Sequence, residues 1–163
     1  MFHERQNTLR SAAGRRRSRG GQTLVESALV LPMVILFIFG LFEYGRFLMT
    51  MHLVNNAARE ACRYAVAHTQ PVIIAGVTYG NSTTDVTNVY DKFMAGQRLS
   101  SQSVTVYLSN TVGTNIGTWT NATTGQSICV RVTGNYPVLM ASLLFLPANI
   151  PVDVKAVMRT EGN

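Results

Sequence analysis

The sequence predicts an α+β fold: a long N-terminal helix, membrane-spanning over its first half, packed on a small antiparallel β-sheet domain with one short helix. Three observations predict it. Residues 27–42 (SALVLPMVILFIFGLF) are apolar and carry no charge. From Glu43 to His68 there is no proline and a single glycine, Gly45, while apolar and small side chains recur every three or four residues. Beyond Pro71 the texture changes to Thr, Ser, Asn, Val and Gly, and apolar residues alternate in three separate stretches. A period near 3.6 marks the helical half and a period of 2 the β half.

Composition narrows the class. The 163 residues include 14 Lys and Arg against 8 Asp and Glu, a net charge of +6. Residues 1–21 hold six of those arginines and one glutamate, so the rest is nearly neutral. A basic nucleic-acid binder spreads its charge over a folded face, so no nucleic-acid partner is expected. Charged residues are 13% and hydrophobic ones 47%. That is too apolar for a disordered chain, and below the charge of about a quarter usual in soluble domains. Two cysteines exclude a disulfide-dense scaffold and a four-cysteine zinc site.

Residues 1–21 read as a basic cytoplasmic leader, 22–70 as the long helix and 71–163 as a β-rich domain. As a helix, residues 22–42 are about 31 Å long at roughly 1.5 Å per residue, enough for a hydrocarbon core of about 30 Å. Every leader arginine (positions 5, 10, 15, 16, 17 and 19) precedes the run. The positive-inside rule then keeps the N-terminus in the cytoplasm and sends the remainder across, as a single-pass membrane protein. The run is longer than the apolar part of a secretory signal, and no small-x-small cleavage site follows it. Pro32 interrupts the hydrogen-bond ladder, and a kink is expected there. Phe47, Met51, Val54, Ala58, Ala61 and Ala65 form one narrow stripe, small enough at its end for close approach by a sheet or another helix. Pro71 sets the expected last helical residue at Thr69 or Gln70.

In the β-rich part, residues 85–94 (DVTNVYDKFM) space Val86, Val89, Tyr90 and Phe93 for one short helix, with Thr84 or Asp85 as its cap. Residues 103–108, 126–136 and 152–158 alternate as strands. Ile128, Val130 and Val132 share one face, and Val152, Val154, Ala156 and Met158 point inward. Residues 137–147 (PVLMASLLFLP) are too short to span a membrane as a helix. We read them as a buried helix or hairpin element rather than as a segment dipping into lipid. There is no internal repeat.

The junction RRRSRGGQTLVESALVLP carries the most specific signal. Gly21 precedes the apolar helix, and Glu26 sits five residues after it. This is the form of a prepilin peptidase site, cut between Gly21 and Gln22, where glycines leave an unhindered extended backbone for the protease. Glu26 lies a turn inside the helix at the apolar boundary, where a carboxylate is costly unless paired. Cleavage frees a positive α-amino group on Gln22. In an assembled bundle a neighbour's Glu26 neutralises that amine and sets the stagger between subunits.

Three stretches, GGQTLVESALVLP, GLFEYGRFL and NNAAREACRYA, together resemble the TadE-like family of the tight-adherence (Flp-type) pilus system, within the wider class of type IV pilins and pseudopilins. The resemblance covers about residues 20–67. It implies an inner-membrane, prepilin-like protein acting in pilus assembly as a minor pilin or pseudopilin. Its partners would be a prepilin peptidase, other pilins or pseudopilins, the inner-membrane assembly platform and membrane lipid. It also places Pro32, Glu43, Gly45 and Arg46 on the packing helix. Glu43 and Arg46 read either as an intrahelical ion pair or as a contact with a partner. Arg59 and Arg63 share a face and repel, so beside Glu60 a further acid is expected from Asp85, Asp91, Asp153 or a partner protein. The rival reading is an uncleaved, signal-anchored protein with an outer binding domain.

Cys62 on the helix and Cys129 in a strand both fall outside the cytoplasm, where a disulfide persists, and we read a possible bridge between sheet and helix. His52 and His68 lie on different sides of the helix, His3 is in the leader, and no metal or cofactor site follows. No phosphate-cradling loop and no nucleophile elbow is present, so the chain reads as a non-enzyme with no catalytic residues. Asn81 and Asn121 match the glycosylation pattern, to which we give little weight.

Overall fold

The computed structural model describes residues 19–70 and 72–160. Most of the basic leader, and Pro71, lie outside them. The chain divides into two compact units, Met1–Leu41 and Phe42–Asn163. Helix α1 (Arg19–Ala67) is unbroken across Pro32. Within the first unit its large side chains are bare: Leu24, Leu29, Met33 and Phe37 are each about 70% exposed. The helix is long and apolar enough to cross a membrane.

The second unit is the expected α+β domain. After α1 come a small hairpin, β1 (Val72–Ile74) and β2 (Val77–Tyr79), and helix α2 (Thr83–Phe93). Strands β3 (Ser100–Ser109), β4 (Asn115–Gly117), β5 (Ser127–Pro137) and β6 (Asn149–Arg159) form one antiparallel sheet in the order β4-β3-β5-β6. The three predicted strands are present; β3 and β6 are longer than expected, and β5 keeps its expected eleven residues, shifted by one. The two-strand hairpin and β4 are additional. They are three residues each, too short for a period to register.

Strand alternation builds two unequal faces. Register aligns Val104, Val132 and Val154 in one row, Val106, Val130 and Ala156 in the next, and Leu108, Ile128 and Met158 in a third. These meet Val54, Ala57, Ala58, Ala61, Cys62 and Ala65 of α1, all fully buried, so the small stripe does face the sheet. Alanine there lets the helix backbone come close: the Cys62 thiol reaches the carbonyl of Ile128 at 3.4 Å. Tyr107, Cys129 and Val157 form a row on the opposite face. The 110–114 turn covers it, and the Tyr107 hydroxyl donates to the Gly113 carbonyl at 3.1 Å. Gly113 is needed twice over, at φ +83° and with a built Cβ only 3.3 Å from Val157.

Some local expectations are corrected. Helix α2 starts earlier because Ser82, rather than Thr84 or Asp85, is its cap, its hydroxyl accepting from the Thr84 N–H. Asp85 falls in the first turn, where the helix dipole favours an acid. Val86 and Tyr90 are buried as spaced, but Phe93 is exposed and Met94 is buried in its place. Helix α1 closes at Ala67, and His68 turns back to bond the Tyr64 carbonyl through both its N–H and its ring. At the other end, Gly20 and Gly21 are helical rather than extended. The 137–147 segment is not buried: it joins β5 to β6, with Leu139, Leu143, Phe145 and Leu146 all exposed. Its exceptions are Val138, which is buried in the core, and Ala141, which packs against it.

Two substitutions test this packing by thermal unfolding of the full chain in micelles. Gly134→Ala places a Cβ 2.8 Å from that of Leu99 and 3.3 Å from the Ser100 carbonyl. Overpacking of this kind costs about 1–3 kcal/mol, and a fall in melting temperature is expected. The Tyr90 hydroxyl is buried without a hydrogen-bond partner among the described residues. A group left so costs about 1–3 kcal/mol, so Tyr90→Phe should hold or raise the melting temperature; a large fall would show that the hydroxyl is bonded.

Candidate functional site

The densest polar cluster lies where the apolar part of α1 gives way to the folded domain. Glu43 follows Phe42, which is 72% exposed, yet Glu43 itself is only 8% exposed. One carboxylate oxygen, Oε1, accepts from Arg46 Nη2 at 2.7 Å, from the Tyr136 hydroxyl at 2.9 Å and from the Leu139 N–H at 3.4 Å. Arg46 Nη2 also donates to the Pro137 carbonyl at 2.7 Å, and its guanidinium lies 4.7 Å over the Tyr136 ring. Phe47 meets the same ring edge-on at 5.2 Å. The pair Glu43–Arg46 is thus intrahelical, at i to i+3, and its remaining bonds go to the end of β5. The sheet of the same chain fills the place that a partner would have taken.

Burial opposes ionisation of Glu43. The bonds from Arg46 and Tyr136, the Arg46 charge and the Leu139 N–H outweigh it, and the carboxyl titrates below the ordinary glutamate value. Burial, together with the bond to that carboxylate, pushes the Tyr136 phenol up to about 12. Tyr136, Pro137 and Leu139 escape sequence reasoning because they lie more than 90 residues from Glu43. The one available signal is a carboxylate at the edge of an apolar run, which must find donors somewhere.

The other expected residues are more dispersed. Gly21 has open space around its backbone, and Glu26 is exposed with no ion pair among the described residues. Gln22 is helical; its side chain lies outside what the structure describes. Gly45 is exposed, and a Cβ there would meet nothing within 4 Å. Arg63 pairs with Glu60 at 3.2 Å, whereas Arg59 is exposed and has no ion pair among the described residues. The acids expected to join them go elsewhere. Asp91 faces Arg98 at 3.9 Å, Asp153 takes both Nε and Nη2 of Arg131, and Asp85 starts α2. The helix supplies its own acid in Glu60.

The expected disulfide is not formed: Cys62 and Cys129 are both buried and free. Alternation is the reason. Ile128 and Val130 face α1, so Cys129 between them faces the other side of the sheet, against the 110–114 turn. Burial pushes the Cys62 thiol up to about 11, which keeps it protonated and unreactive. No cluster of His, Cys, Asp or Glu able to hold a metal occurs among the described residues.

The Glu43 cluster makes a pH prediction. A carboxyl more acidic in the folded than in the unfolded state stabilises the fold above its unfolded value, and the contribution is lost as pH falls through the folded value. Melting temperature should therefore fall on acidification below the ordinary glutamate range. Glu43→Gln should cost about 1.5–3 kcal/mol at neutral pH, as for hydrogen bonds to a charged group. It should also flatten the acid limb, leaving the part due to Asp153, which its Arg131 hydrogen bonds likewise hold low. An unchanged acid limb in Glu43→Gln would remove the carboxylate from this role.

No curated protein and no solved structure matches the chain. Residues 21–63 match the model of the family described as TadE-like protein. The matched span holds the apolar run, Glu43, Arg46 and most of the alanine stripe. TadE-like proteins are components of tight-adherence pilus assembly, and over residues 21–63 this chain is similar to them.

Proposed function

We propose that the chain is a prepilin-like minor pilin or pseudopilin of a tight-adherence pilus. It is inserted with its leader in the cytoplasm and its sheet domain outside, cut after Gly21 by a prepilin peptidase, and packed against neighbouring subunits through α1. The observation that carries this is an uncovered helical face. Above Phe42, one side of α1 is buried by its own sheet, while Tyr44, Leu48 and Met49 on the other side are 59%, 39% and 62% exposed. Gly45 lies among them with open space where a side chain would stand. A glycine inside an exposed helix costs about 1 kcal/mol relative to alanine. Its use is to let another helix approach closely.

The processing site fits the same role. Gly20 and Gly21 are helical in the free chain, but glycine holds a helix weakly, so the protease can draw them into an extended strand. Exposed Glu26 is then left at the level of the new Gln22 amine, free to meet that of a neighbour.

N-terminal sequencing of the chain, expressed with and without a cognate prepilin peptidase, tests the proposal. A mature start at Gln22 only with the peptidase is expected. Glu26→Ala should still be cut but should fail to assemble with other subunits. An intact N-terminus in both cases would overturn the proposal in favour of a permanent signal anchor, and a cut beyond Phe42 would make the protein secreted.

A further inference from the structure

We infer that the β5–β6 connection, residues 138–148, is a second membrane contact: an apolar wedge that enters the outer leaflet. The inference rests on reading the apolar run of α1 as a bilayer span. Two contacts fix the direction of β5 along the helix. Ile128 lies against Cys62, and Tyr136 lies against Glu43. From Cys62 to Glu43 the helix covers about 28 Å at roughly 1.5 Å per residue. From Ile128 to Tyr136 the strand covers about 27 Å at roughly 3.4 Å per residue. Strand and helix therefore run side by side in opposite senses. At Tyr136 the strand has come down to the last turn before Phe42. The chain does not reverse there. It continues through Pro137 and Leu139, both tied to the Glu43–Arg46 pair, and turns only beyond them.

What lies past that level suits lipid. No charged residue occurs between Arg131 and Asp153. Leu139, Leu143, Phe145 and Leu146 are 72%, 45%, 91% and 44% exposed, four large apolar side chains within eight residues of one loop. Phe145 at the tip has a left-handed backbone, φ 55°, uncommon for a bulky residue. The loop also satisfies several backbone groups internally, as a lipid environment demands. The N–H groups of Leu143 and Leu144 donate to the Met140 carbonyl, that of Leu146 to the Ala141 carbonyl, and that of Val138 to the Ala148 carbonyl. An aqueous loop gains nothing from such a surface. The loop's anchor on Glu43 and Arg46, which directly follow the apolar run in sequence, selects the bilayer as its occupant.

Depth-dependent quenching tests this. The full chain is reconstituted in vesicles of phosphatidylethanolamine and phosphatidylglycerol, without bromine or with acyl chains brominated both near the glycerol end and near the bilayer midplane. The wild type, whose single tryptophan, Trp119, is buried, sets the background. Phe145→Trp adds an indole at the loop tip, and Leu31→Trp adds one in the apolar helix. Both added emissions should lose most of their intensity in the brominated vesicles. Quenching of Leu31→Trp alone would overturn the wedge and leave the helix in the bilayer. Quenching of neither would overturn the bilayer span, and the wedge with it. A Phe145→Trp emission that is blue-shifted but unquenched would assign the patch to a second copy of the chain, and so also overturn the wedge.

Discussion

The folded domain depends on one seam, where the alanine face of α1 lies along β5. Alanine has no bulk to hold the two backbones apart, and the Cys62 thiol reaches the Ile128 carbonyl across the gap. The lower end of the seam is closed differently, by a buried carboxylate and its donors. A buried charge is tolerable only when its partners are complete, and loss of one partner leaves the others stranded. The two ends therefore differ in kind. The upper end is held by close apolar contact, which accepts small shifts. The lower end is held by directed bonds to one oxygen, which do not. Since Glu43 directly follows the last residue of the apolar run, the seam also fixes where the domain begins.

The large features were legible because each has a period. The stripe from Phe47 to Ala65 and the alternation of Ile128, Val130 and Val132 are strong signals, and both place their residues on the faces that the structure buries. The same alternation also placed Cys129 on the far side of the sheet, against the bridge to Cys62. Two attractive thiols outweighed a parity argument that was already available. The short hairpin and β4 have no period, since three residues complete no pattern. In the 137–147 segment hydrophobicity does not signal burial. Val138 and Ala141 reach the core, while Leu139, Leu143, Phe145 and Leu146 stand outside it. Of the cluster around Glu43, its half on α1 could be read as an i to i+3 pair. The half on β5 could not, because nothing local in NYPVL marks Tyr136 as the donor to a distant acid.

Residue choice along α1 sorts by what each side meets. Large aliphatic and aromatic groups fill the bare lower part, small ones fill the side against the sheet, and no charge occurs between Glu26 and Glu43. Between Glu43 and Val54 the helix serves two neighbours at once. Glu43, Thr50 and Val54 are buried by the domain, while Tyr44, Gly45, Leu48 and Met49 stay open. A pilus subunit has this requirement: the outer domain must be carried without using up the helical surface through which subunits pack.

The match in length between helix and strand constrains how such a chain can change. Deleting one residue of α1 between Glu43 and Cys62 turns one contact about 100° away from the other. Deleting one residue of β5 over the same stretch turns its inner face outward. Neither can be repaired alone. The smallest change that restores both is concerted, about one helical turn together with an even number of residues in β5 and in its partner β6. Insertions at the exposed Ala75–Gly76 turn between β1 and β2 meet no such condition, because closure entropy grows only slowly with loop length. Divergence in length should therefore collect in exposed turns of this kind, while the stretch of α1 that carries the sheet stays fixed in residue count even where its side chains drift.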